Sequence, residues 1–274
     1  MEISGKTKVV AIFGHPVEHS LSPLMHNAAF MNMELDYCYV ALDVHPADLR
    51  TAVEGVRAMG FAGLNITVPH KEAIMPMLDK VDPEAAFIGA VNTVVNSNGK
   101  FIGYNTDGRG FMRSLAEEDI EVRGKNVLLV GAGGAARAVS WYLAESGSEL
   151  SIYNRTPEKA AFLVNDLVIN FKNVHHAEGL DGLGNADIVI NSTSLGLKPE
   201  DPMPFEPSEL KDGAVVVDLI YQDTLLVQAA RQRGLKTVNG LGMLLWQGVL
   251  ASELWTGQEP PYKHMQDILF KSIS

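Results

Sequence analysis

A glycine-rich segment directly after a short apolar run constrains the fold of this chain more than any other feature. The run Val127–Val130 is followed at once by Gly131-Ala132-Gly133-Gly134-Ala135-Ala136 and then by a helical pattern. Strand, tight turn and helix in this order form the dinucleotide-binding fingerprint, with Ala136 in the place of its third glycine. Gly131 permits the turn, and Gly133 lets the backbone approach a pyrophosphate. The segment predicts a Rossmann-like unit in which Gly131–Ala135, at a helix N-terminus, binds the phosphates of a dinucleotide.

The end of the next predicted strand selects the dinucleotide. NAD sites usually carry an acid there, roughly 20 residues past the loop, which binds the ribose 2′-hydroxyl. In this chain the strand has no acid at its end and runs into Asn154, Arg155 and Thr156, with Lys159 one turn later. Arg155 can bind a 2′-phosphate with paired hydrogen bonds, and Thr156 can donate another. Alone, these residues fit a surface arginine and a helix N-cap, but after this loop they favour NADP.

Strand-like and helix-like segments alternate along almost the whole chain, which predicts an α/β protein with helices on the faces of its sheets. The first series includes a helix Pro23–Met33 with Ser22 as its N-cap. A second helix is expected after Pro69. The dipeptide Asn98-Gly99, between two strand-like runs, predicts a hairpin turn.

Two series of strands and helices predict two domains. The first is an α/β substrate-binding and catalytic domain with a mostly parallel sheet, formed by residues 1–107 and 240–274. The second is a Rossmann-like NADP-binding domain, residues 108–239, with a cleft between the two. The last two helices are assigned to the first domain because Gln247 lies on an apolar helical stripe, where an amide must find a partner or face a polar pocket.

Charge and composition exclude several classes of function. The formal net charge is −11 and no basic block stands out, which argues against nucleic acid as a partner. No apolar run reaches about eighteen residues and no signal-peptide core precedes the first strand, so neither membrane nor secretion is expected. The single cysteine, Cys38, lies in an alternating strand pattern and fits a reducing cytoplasm. We expect a cytoplasmic enzyme, monomer or homodimer, without a metal.

Four stretches of the first domain are rich in small polar residues. They are His19–Asn27, Asn65–Lys71, Gly89–Thr93 and Gly103–Gly108. Each has a structural explanation when taken alone, since Ser22 and Asp107 could cap helices, Lys71 could be solvated and Asn92 could form a turn. Parallel sheets, however, bind ligands outside the carboxyl ends of their strands, and three of the stretches follow predicted strands. Together they offer hydroxyls, an amide, an ammonium and a carboxylate, which suit a small hydroxylated carboxylic acid.

In number and order, these motifs resemble those of shikimate dehydrogenases over nearly the whole chain. The resemblance also takes in Asn154-Arg155-Thr156, Asn191–Gly196 and Gly240–Gln247. It implies the reversible, NADPH-dependent reduction of 3-dehydroshikimate to shikimate, a step of aromatic amino acid (chorismate) biosynthesis. The cofactor implied is NADP.

The roles of the substrate-binding residues follow from the resemblance, position by position. Ser20 and Ser22 match hydroxyls that hold the substrate carboxylate. The ring hydroxyls are implied to bind Thr67, Asn92 and Asp107. Lys71 matches the catalytic lysine, with Asp107 as its partner, and Tyr221 and Gln247 match further substrate contacts.

The same resemblance implies the NADP contacts. The phosphates are expected at Gly131–Ala135 and at Asn154, Arg155, Thr156 and Lys159. Leu219 and Gly240 match positions beside the nicotinamide. One departure stands out, because only Gln222 and Asp223 separate Tyr221 from Thr224, where the family usually has a longer loop with a proline.

Three alternative functions stay open. The nearest is a quinate/shikimate dehydrogenase with a wider tolerance for quinate or NAD. Another NADP enzyme of similar plan, such as a glutamyl-tRNA reductase or a methylene-tetrahydrofolate dehydrogenase, is disfavoured by the serine-rich motif and by Asn105–Gly108. A catalytically silent binder of NADP or a metabolite is disfavoured by the presence of Lys71 and Asp107.

Overall fold

Two six-stranded sheets flanked by helices make up the part of the chain that the computed structural model describes, residues 3–273. The strands are β1 Lys8–Gly14, β2 Tyr37–Asp43, β3 Gly63–Ile66, β4 Lys80–Val81, β5 Thr93–Ser97, β6 Lys100–Tyr104, β7 Asn126–Val130, β8 Glu149–Tyr153, β9 Val174–His176, β10 Ile188–Asn191, β11 Val215–Asp218 and β12 Lys236–Val238. The helices are α1 Ser22–Asn32, α2 Leu49–Ala58, α3 Pro83–Ile88, α4 Asp107–Glu117, α5 Gly134–Glu145, α6 Pro157–Val168, α7 Leu225–Gln232, α8 Leu241–Thr256 and α9 Tyr262–Lys271.

The chain divides into two compact units. One holds the residues up to Thr106 together with those from Gln247 onwards, and the other holds Asp107–Trp246. The second unit is thus an insertion in the sequence of the first. Helix α8 begins in the second unit and continues into the first. No helix among residues 3–273 is long and apolar enough to cross a membrane.

The sheet of the first unit has the strand order β2-β1-β3-β5-β6-β4. Parallel pairing joins β1 to β2 and β3, and joins β4 to β6, whereas β5 runs antiparallel to β3 and β6. The carboxyl ends of β1, β3 and β6 therefore lie at one edge of the sheet. Because β5 is reversed, it begins at that same edge.

The predicted hairpin joins β5 to β6. Ser97 pairs with Lys100, so Asn98 and Gly99 form the two-residue turn between them. Both have positive φ, +53° and +85°, which is the conformation that a type I′ turn requires. The prediction is confirmed.

Both faces of the first sheet are buried. On one face, Leu49, Val53 and Val56 of α2 cover the strands, because their spacing places them on one side of the helix. On the other face, α1 and α8 contribute Phe30 and Trp255 to a cluster that includes Tyr39. Helix α9 packs against α1.

All pairs of neighbouring strands in the second sheet are parallel, in the order β12-β11-β10-β7-β8-β9. The order reverses between β7 and β10, which is the switch point at which such sheets bind dinucleotides. The glycine-rich loop follows β7, and Asn191 ends β10. The predicted α/β class and the Rossmann-like unit are confirmed.

Two predicted local features are wrong. Ser22 does not cap α1, because Leu21 already has helical φ and ψ (−82°, −8°) and Ser22 is the first residue of the helix. No α-helix begins directly after Pro69, where one was predicted. The chain there makes hydrogen-bonded turns and a short 3₁₀ turn, Met75–Met77, because Pro76 has no N–H with which to continue a helix.

Candidate active site

The four polar stretches of the first unit come to one edge of its sheet. Three follow the carboxyl ends of β1, β3 and β6, and the fourth precedes β5, which starts at that edge because it is antiparallel. Parallel strands alone predicted this position for three of the stretches. The stretch that contains Asn92 also lies at this edge, because β5 is antiparallel to its neighbours. Polar side chains from four segments of sequence therefore lie at the same edge.

The side chain of Asn92 is fixed by a buried set of hydrogen bonds. Its Nδ2 donates to Thr106 Oγ1 (2.9 Å), and its Oδ1 accepts the backbone N–H of Thr106 (2.8 Å). The hydroxyl of Thr93 donates to the same Oδ1 (3.0 Å). Asn92, Thr93 and Thr106 are all at most 3% exposed. These bonds lock together the start of β5 and the end of β6.

Asn65 and Tyr39 extend this set of bonds to β3 and β2. Asn65 Nδ2 donates to the Asn92 carbonyl (3.0 Å) and to Thr93 Oγ1 (3.2 Å). Its Oδ1 accepts the hydroxyl proton of Tyr39 (2.7 Å). Tyr39, Asn65, Asn92, Thr93 and Thr106 are called the Asn92 network below. The network connects four strands through side chains that are almost fully buried.

Lys71 lies in the turn after β3, and its neighbours anchor the backbone. The Lys71 carbonyl accepts the N–H of Val91 (2.8 Å). The preceding residue, His70, is 1% exposed, and its Nε2 lies 2.7 Å from the carbonyl oxygen of Val44. A carbonyl oxygen can only accept, so Nε2 carries the proton and donates it. Lys71 and Thr67 are themselves half-buried.

The serine-rich stretch places two hydroxyls side by side. Ser22 is buried, Ser20 is half-buried, and the N–H of Ser22 donates to Ser20 Oγ (3.3 Å). On α8, the half-buried Gln247 is tied to the same unit, since its carbonyl accepts the hydroxyl proton of Thr106 (3.1 Å).

Asp107 opens α4 in the second unit and is 8% exposed. The next residue, Gly108, lets α4 cross α5 in direct contact. A Cβ at Gly108 would overlap the carbonyl oxygen of Ala138 and the ring of Tyr142 on α5. The position of Asp107 is therefore set by helix α5, whose first turn carries the glycine-rich loop.

The glycine-rich loop has the geometry expected of a phosphate site. Gly131 has φ of +118°, and a Cβ there would lie 2.5 Å from Ser192 Oγ, so a side chain at this position is excluded. Gly133, Gly134 and Ala135 are exposed at the N-terminus of α5, and nothing lies within 4 Å of a Cβ at either glycine. Ala136 is fully buried and allows α5 to pack closely. The N-terminus of α5 is thus exposed, as anion binding by its backbone N–H groups requires.

Three cationic or hydroxyl side chains are exposed after β8. They are Arg155, Thr156 and Lys159. Thr156 stands at the N-cap position of α6, but its hydroxyl makes no capping hydrogen bond. Asn154 orders the turn, because its Nδ2 donates to the Thr156 carbonyl (2.9 Å). The residues fit a 2′-phosphate, since none has the carboxylate that a 2′-hydroxyl site uses.

The remaining predicted cofactor contacts meet at the end of β11. Gly240 packs directly on the backbone of Leu219, where a Cβ would overlap the carbonyl oxygen, and its N–H donates to the Ile220 carbonyl (3.0 Å). Tyr221, next in the chain, is half-buried. Among residues 3–273, no three His, Cys, Asp or Glu side chains are grouped so that they could hold a metal ion.

Comparison with known proteins gives the same family along the whole chain. Residues 12–94 match the family described as "Shikimate dehydrogenase substrate binding domain", 114–198 match "Shikimate / quinate 5-dehydrogenase", and 240–270 match "Shikimate 5'-dehydrogenase C-terminal domain". A relative from Desulforamulus reducens named shikimate dehydrogenase (NADP(+)) is 47% identical over 287 residues, covering 99% of this chain and 98% of the relative. The chain belongs to the shikimate dehydrogenase family.

Two solved structures support the family's fold for this chain. Shikimate dehydrogenase from Aquifex aeolicus has a TM-score of 0.93 and 41% identity, covering 97% of this chain and 99% of that one. The enzyme from Thermus thermophilus, solved in complex with NADP(H) and shikimate, has a TM-score of 0.90 and 38% identity, with the same coverage of both chains. The predicted family is confirmed.

The loop between Tyr221 and Thr224, which was expected to be short for the family, closes on a buried carboxylate. Thr224 donates its hydroxyl proton to Asp218 Oδ2 (2.7 Å), and the same hydroxyl accepts the N–H of Val227 at the start of α7 (3.3 Å). Asp218 Oδ1 accepts from Asn191 Nδ2 (3.0 Å) and from the N–H of Ile220 (3.1 Å). Burial raises the pKa of Asp218. The shortened loop is therefore compact, with Tyr221 held between the two anchored residues Ile220 and Thr224.

Sequence reasoning missed several residues that order the candidate site. Asn65, Thr93 and His70 lie in the polar stretches but were predicted to have no role of their own, and Tyr39 lies outside those stretches. A buried tyrosine needs a partner for its hydroxyl, which is the one signal that could have singled out Tyr39. Its partners come from β3 and α1, and the sequence does not show that they are near.

Proposed function

We propose that the protein reversibly reduces 3-dehydroshikimate to shikimate with NADPH, a step of aromatic amino acid (chorismate) biosynthesis. The observation that carries this proposal is the gathering of the four polar stretches at one edge of the first sheet, ordered by the Asn92 network. Membership of the family over the full length of the chain supports the same reaction. A ring with several hydroxyls and one carboxylate matches the hydroxyl, amide and ammonium groups at this edge.

The second unit is assigned the cofactor. The exposed glycine-rich loop would hold the pyrophosphate, and Arg155, Thr156 and Lys159 would hold the 2′-phosphate. Leu219 and Gly240, which pack on each other, are placed beside the nicotinamide. When bound, NADPH supplies the hydride for the ring carbonyl carbon.

A second set of residues is assigned to the substrate. Ser20 and Ser22 would donate hydrogen bonds to its carboxylate. Its ring hydroxyls would be bound by Thr67, Asn92 and Asp107. Further contacts with the substrate would come from Tyr221 and Gln247. Hydrogen bonds that hold Asn92 from several directions favour one orientation of its amide, and a site with fixed donors and acceptors discriminates strongly between ring hydroxyls.

Lys71 is assigned the proton transfer. Reduction of a ketone to an alcohol needs one hydride at the carbon and one proton at the oxygen. The Lys71 ammonium can donate that proton and can stabilise the negative charge that develops on the oxygen. In the reverse direction the neutral amine accepts the hydroxyl proton. Asp107 would orient Lys71 and the substrate hydroxyl.

The deciding experiment follows the reduced-nicotinamide absorbance of the purified protein with shikimate or quinate and with NADP⁺ or NAD⁺. Rapid reduction with shikimate and NADP⁺ alone is the expected result. Comparable rates with quinate or NAD⁺ would favour the second candidate, a shikimate/quinate dehydrogenase, which the family description of residues 114–198 also covers. Binding without turnover in any pairing would overturn the enzymatic function in favour of a silent binder.

The setting of the reaction is a separate part of the proposal. A single cysteine, Cys38, allows no disulfide within the chain, which suits the reducing cytoplasm. We assign the protein to that compartment as a monomer or homodimer. Cell fractionation and the mass of the purified protein in solution test the two assignments.

A further inference from the structure

Tyr39 is held in place at both its backbone and its ring. It lies on β2, the edge strand of the first sheet, and is 2% exposed. The side-chain amide of Asn27 on α1 donates to the Tyr39 carbonyl and accepts the Tyr39 N–H, both at 2.8 Å. The ring stacks on His26, with centroids 4.5 Å apart and planes inclined by 13°. Helix α1 therefore fixes the direction in which the phenol points.

The direction of the hydrogen bond from this phenol is determined by its neighbours. Asn65 Nδ2 faces the Asn92 carbonyl, which can only accept, so Asn65 Oδ1 must be the atom that faces Tyr39. The phenol consequently donates to Asn65 and keeps its lone pairs for another donor. Helix α1, which begins at Ser22, holds the backbone of Tyr39 through Asn27 and its ring through His26. Tyr39 thus stands between the start of α1 and the rest of the Asn92 network.

The phenol also keeps its proton. Burial raises the pKa of Tyr39 well above the ordinary value for tyrosine. The donor to Asn65 is therefore present at every pH at which the enzyme would work. No titration interrupts the hydrogen bond from Tyr39 to Asn65.

We propose that Tyr39 is a positioning residue for substrate binding, which holds helix α1, with Ser22 in its first turn, and the Asn92 network in one geometry. The proposal rests on the proposed function, in which Ser22 binds the substrate carboxylate and Asn92 a ring hydroxyl. These groups bind opposite parts of one small rigid molecule, so their relative position decides the fit. Tyr39 fixes it, because its ring stacks on His26 of α1 and its hydroxyl donates to Asn65.

Tyr39→Phe and Tyr37→Phe form a matched pair for the test. Tyr37 lies on the same strand and is also buried, but its phenol donates to the Trp255 carbonyl (3.3 Å), away from the Asn92 network. Each variant removes one buried hydroxyl and keeps the ring. We expect Tyr39→Phe to raise KM for shikimate about tenfold, as loss of one well-made hydrogen bond in the network allows, with kcat changed less than about threefold. KM for NADP⁺ stays unchanged, because its assigned contacts are in the second unit.

The outcomes separate a positioning role from a structural one. Both variants are expected to lower Tm by similar amounts, because each loses one buried hydroxyl. Tyr37→Phe should nevertheless leave KM for shikimate within about twofold of wild type. An unchanged KM in Tyr39→Phe, or equal rises in both variants, would overturn the positioning role alone. Absence of shikimate turnover in the wild-type protein would overturn the proposed function and the role that rests on it.

Thr93→Val keeps the test decisive if Tyr39→Phe folds poorly. Valine matches the shape of threonine and suits a strand, and Thr93 is fully buried on β5. The change removes the hydroxyl that joins Asn65 Nδ2 to Asn92 Oδ1. A rise in KM for shikimate with normal KM for NADP⁺ is expected. Unchanged kinetics would show that the network does not position the substrate.

Discussion

At the scale of single residues, the proposed function assigns the proton transfer to Lys71. Its backbone is anchored through His70 and Val91, so the variant Lys71→Ala should keep the turn and lose only the ammonium. We expect kcat to fall about 10²- to 10⁴-fold and KM for shikimate to change little, since proton transfer acts in the transition state. Steady-state kinetics of Lys71→Ala beside Lys80→Ala, which removes an exposed lysine of the same unit, measure this. An undiminished kcat in Lys71→Ala would remove it from catalysis.

The proposed function assigns the choice between the two dinucleotides to Arg155. Its guanidinium is exposed beside Thr156 and Lys159, with no carboxylate at the end of β8 to bind a 2′-hydroxyl. Arg155→Ala should raise KM for NADP⁺ about ten- to a hundredfold, the range expected for charge-assisted hydrogen bonds to a phosphate, and leave KM for NAD⁺ unchanged. Arg123→Ala, an exposed arginine that precedes β7, is the control. Equal losses for both dinucleotides would refute the assignment.

His26 makes the stability of the fold depend on pH. It is fully buried, and burial lowers its pKa to about 3. The unfolded chain therefore binds a proton below the ordinary pKa of histidine, near 6.5, while the folded chain does not, so stability falls as the pH drops below that value. Between pH 6.5 and 5 the loss should reach about 2 kcal/mol.

His26→Asn isolates this term. Asparagine can keep a hydrogen bond to Ser252 Oγ, which lies 2.7 Å from His26 Nδ1, but it does not titrate. Denaturant unfolding at pH 7.5 and pH 5 should show a smaller acid loss in His26→Asn than in wild type. His176→Asn changes an exposed histidine and serves as the reference. The same acid loss in all three proteins would contradict the prediction.

The residue scale also shows where sequence reasoning stops. Arg155 and the glycine-rich loop could be assigned because they follow one another along a single strand-loop-helix unit. Tyr39 could not, since its partner Asn65 is brought close only by the order β2-β1-β3 in the sheet. The role of His70 depends in the same way on Val44, which lies just past the end of β2. Contacts between segments that are distant in sequence can be predicted only when the order of the strands in the sheet is known. The sequence pattern predicted a parallel-rich sheet but not this order.

At the scale of elements, long periodic segments were predicted well and short ones were not. The helix predicted at Pro23–Met33 is α1, Ser22–Asn32, within one residue at each end, because its buried residues recur at helical spacing. Strands β9 and β12 have three residues each and were missed. Helix α3 was missed too, since six residues give too little periodicity to separate a helix from a loop.

The crossing of α4 over α5 leads to a prediction at this scale. Gly108→Ala places a methyl group against the Ala138 carbonyl and the Tyr142 ring, so α4 must move on α5. We expect a loss of about 1–3 kcal/mol in unfolding free energy, from overpacking. Because α5 carries the glycine-rich loop and α4 carries Asp107, turnover should fall as well.

Gly55→Ala is the matched control, because it is a helix glycine with nothing within 4 Å of the added Cβ. It should stabilise the protein by about 0.5–1 kcal/mol, since alanine is the better helix former. Urea unfolding and steady-state kinetics of both variants measure the contrast. Equal stabilisation by the two substitutions would show that the α4–α5 crossing tolerates a side chain.

At the scale of the whole molecule, the two units share a helix and two chain connections. The chain passes between them after Thr106 and again after Trp246, and the second passage lies inside α8, Leu241–Thr256. Unfolding of either unit therefore disrupts α8, since part of this helix belongs to the other unit. This connection predicts a single cooperative unfolding transition, although the chain is longer than most two-state domains.

Binding of NADP⁺ tests this coupling, because its assigned contacts lie in the second unit alone. A ligand that binds only the folded protein stabilises it by about 2.7 kcal/mol at a hundred times its Kd. In a coupled molecule the single calorimetric transition moves up as a whole when NADP⁺ is added. Arg155→Ala should show a much smaller shift at the same NADP⁺ concentration. Two transitions, of which NADP⁺ raises only one, would mean that the units unfold independently despite the helix that joins them.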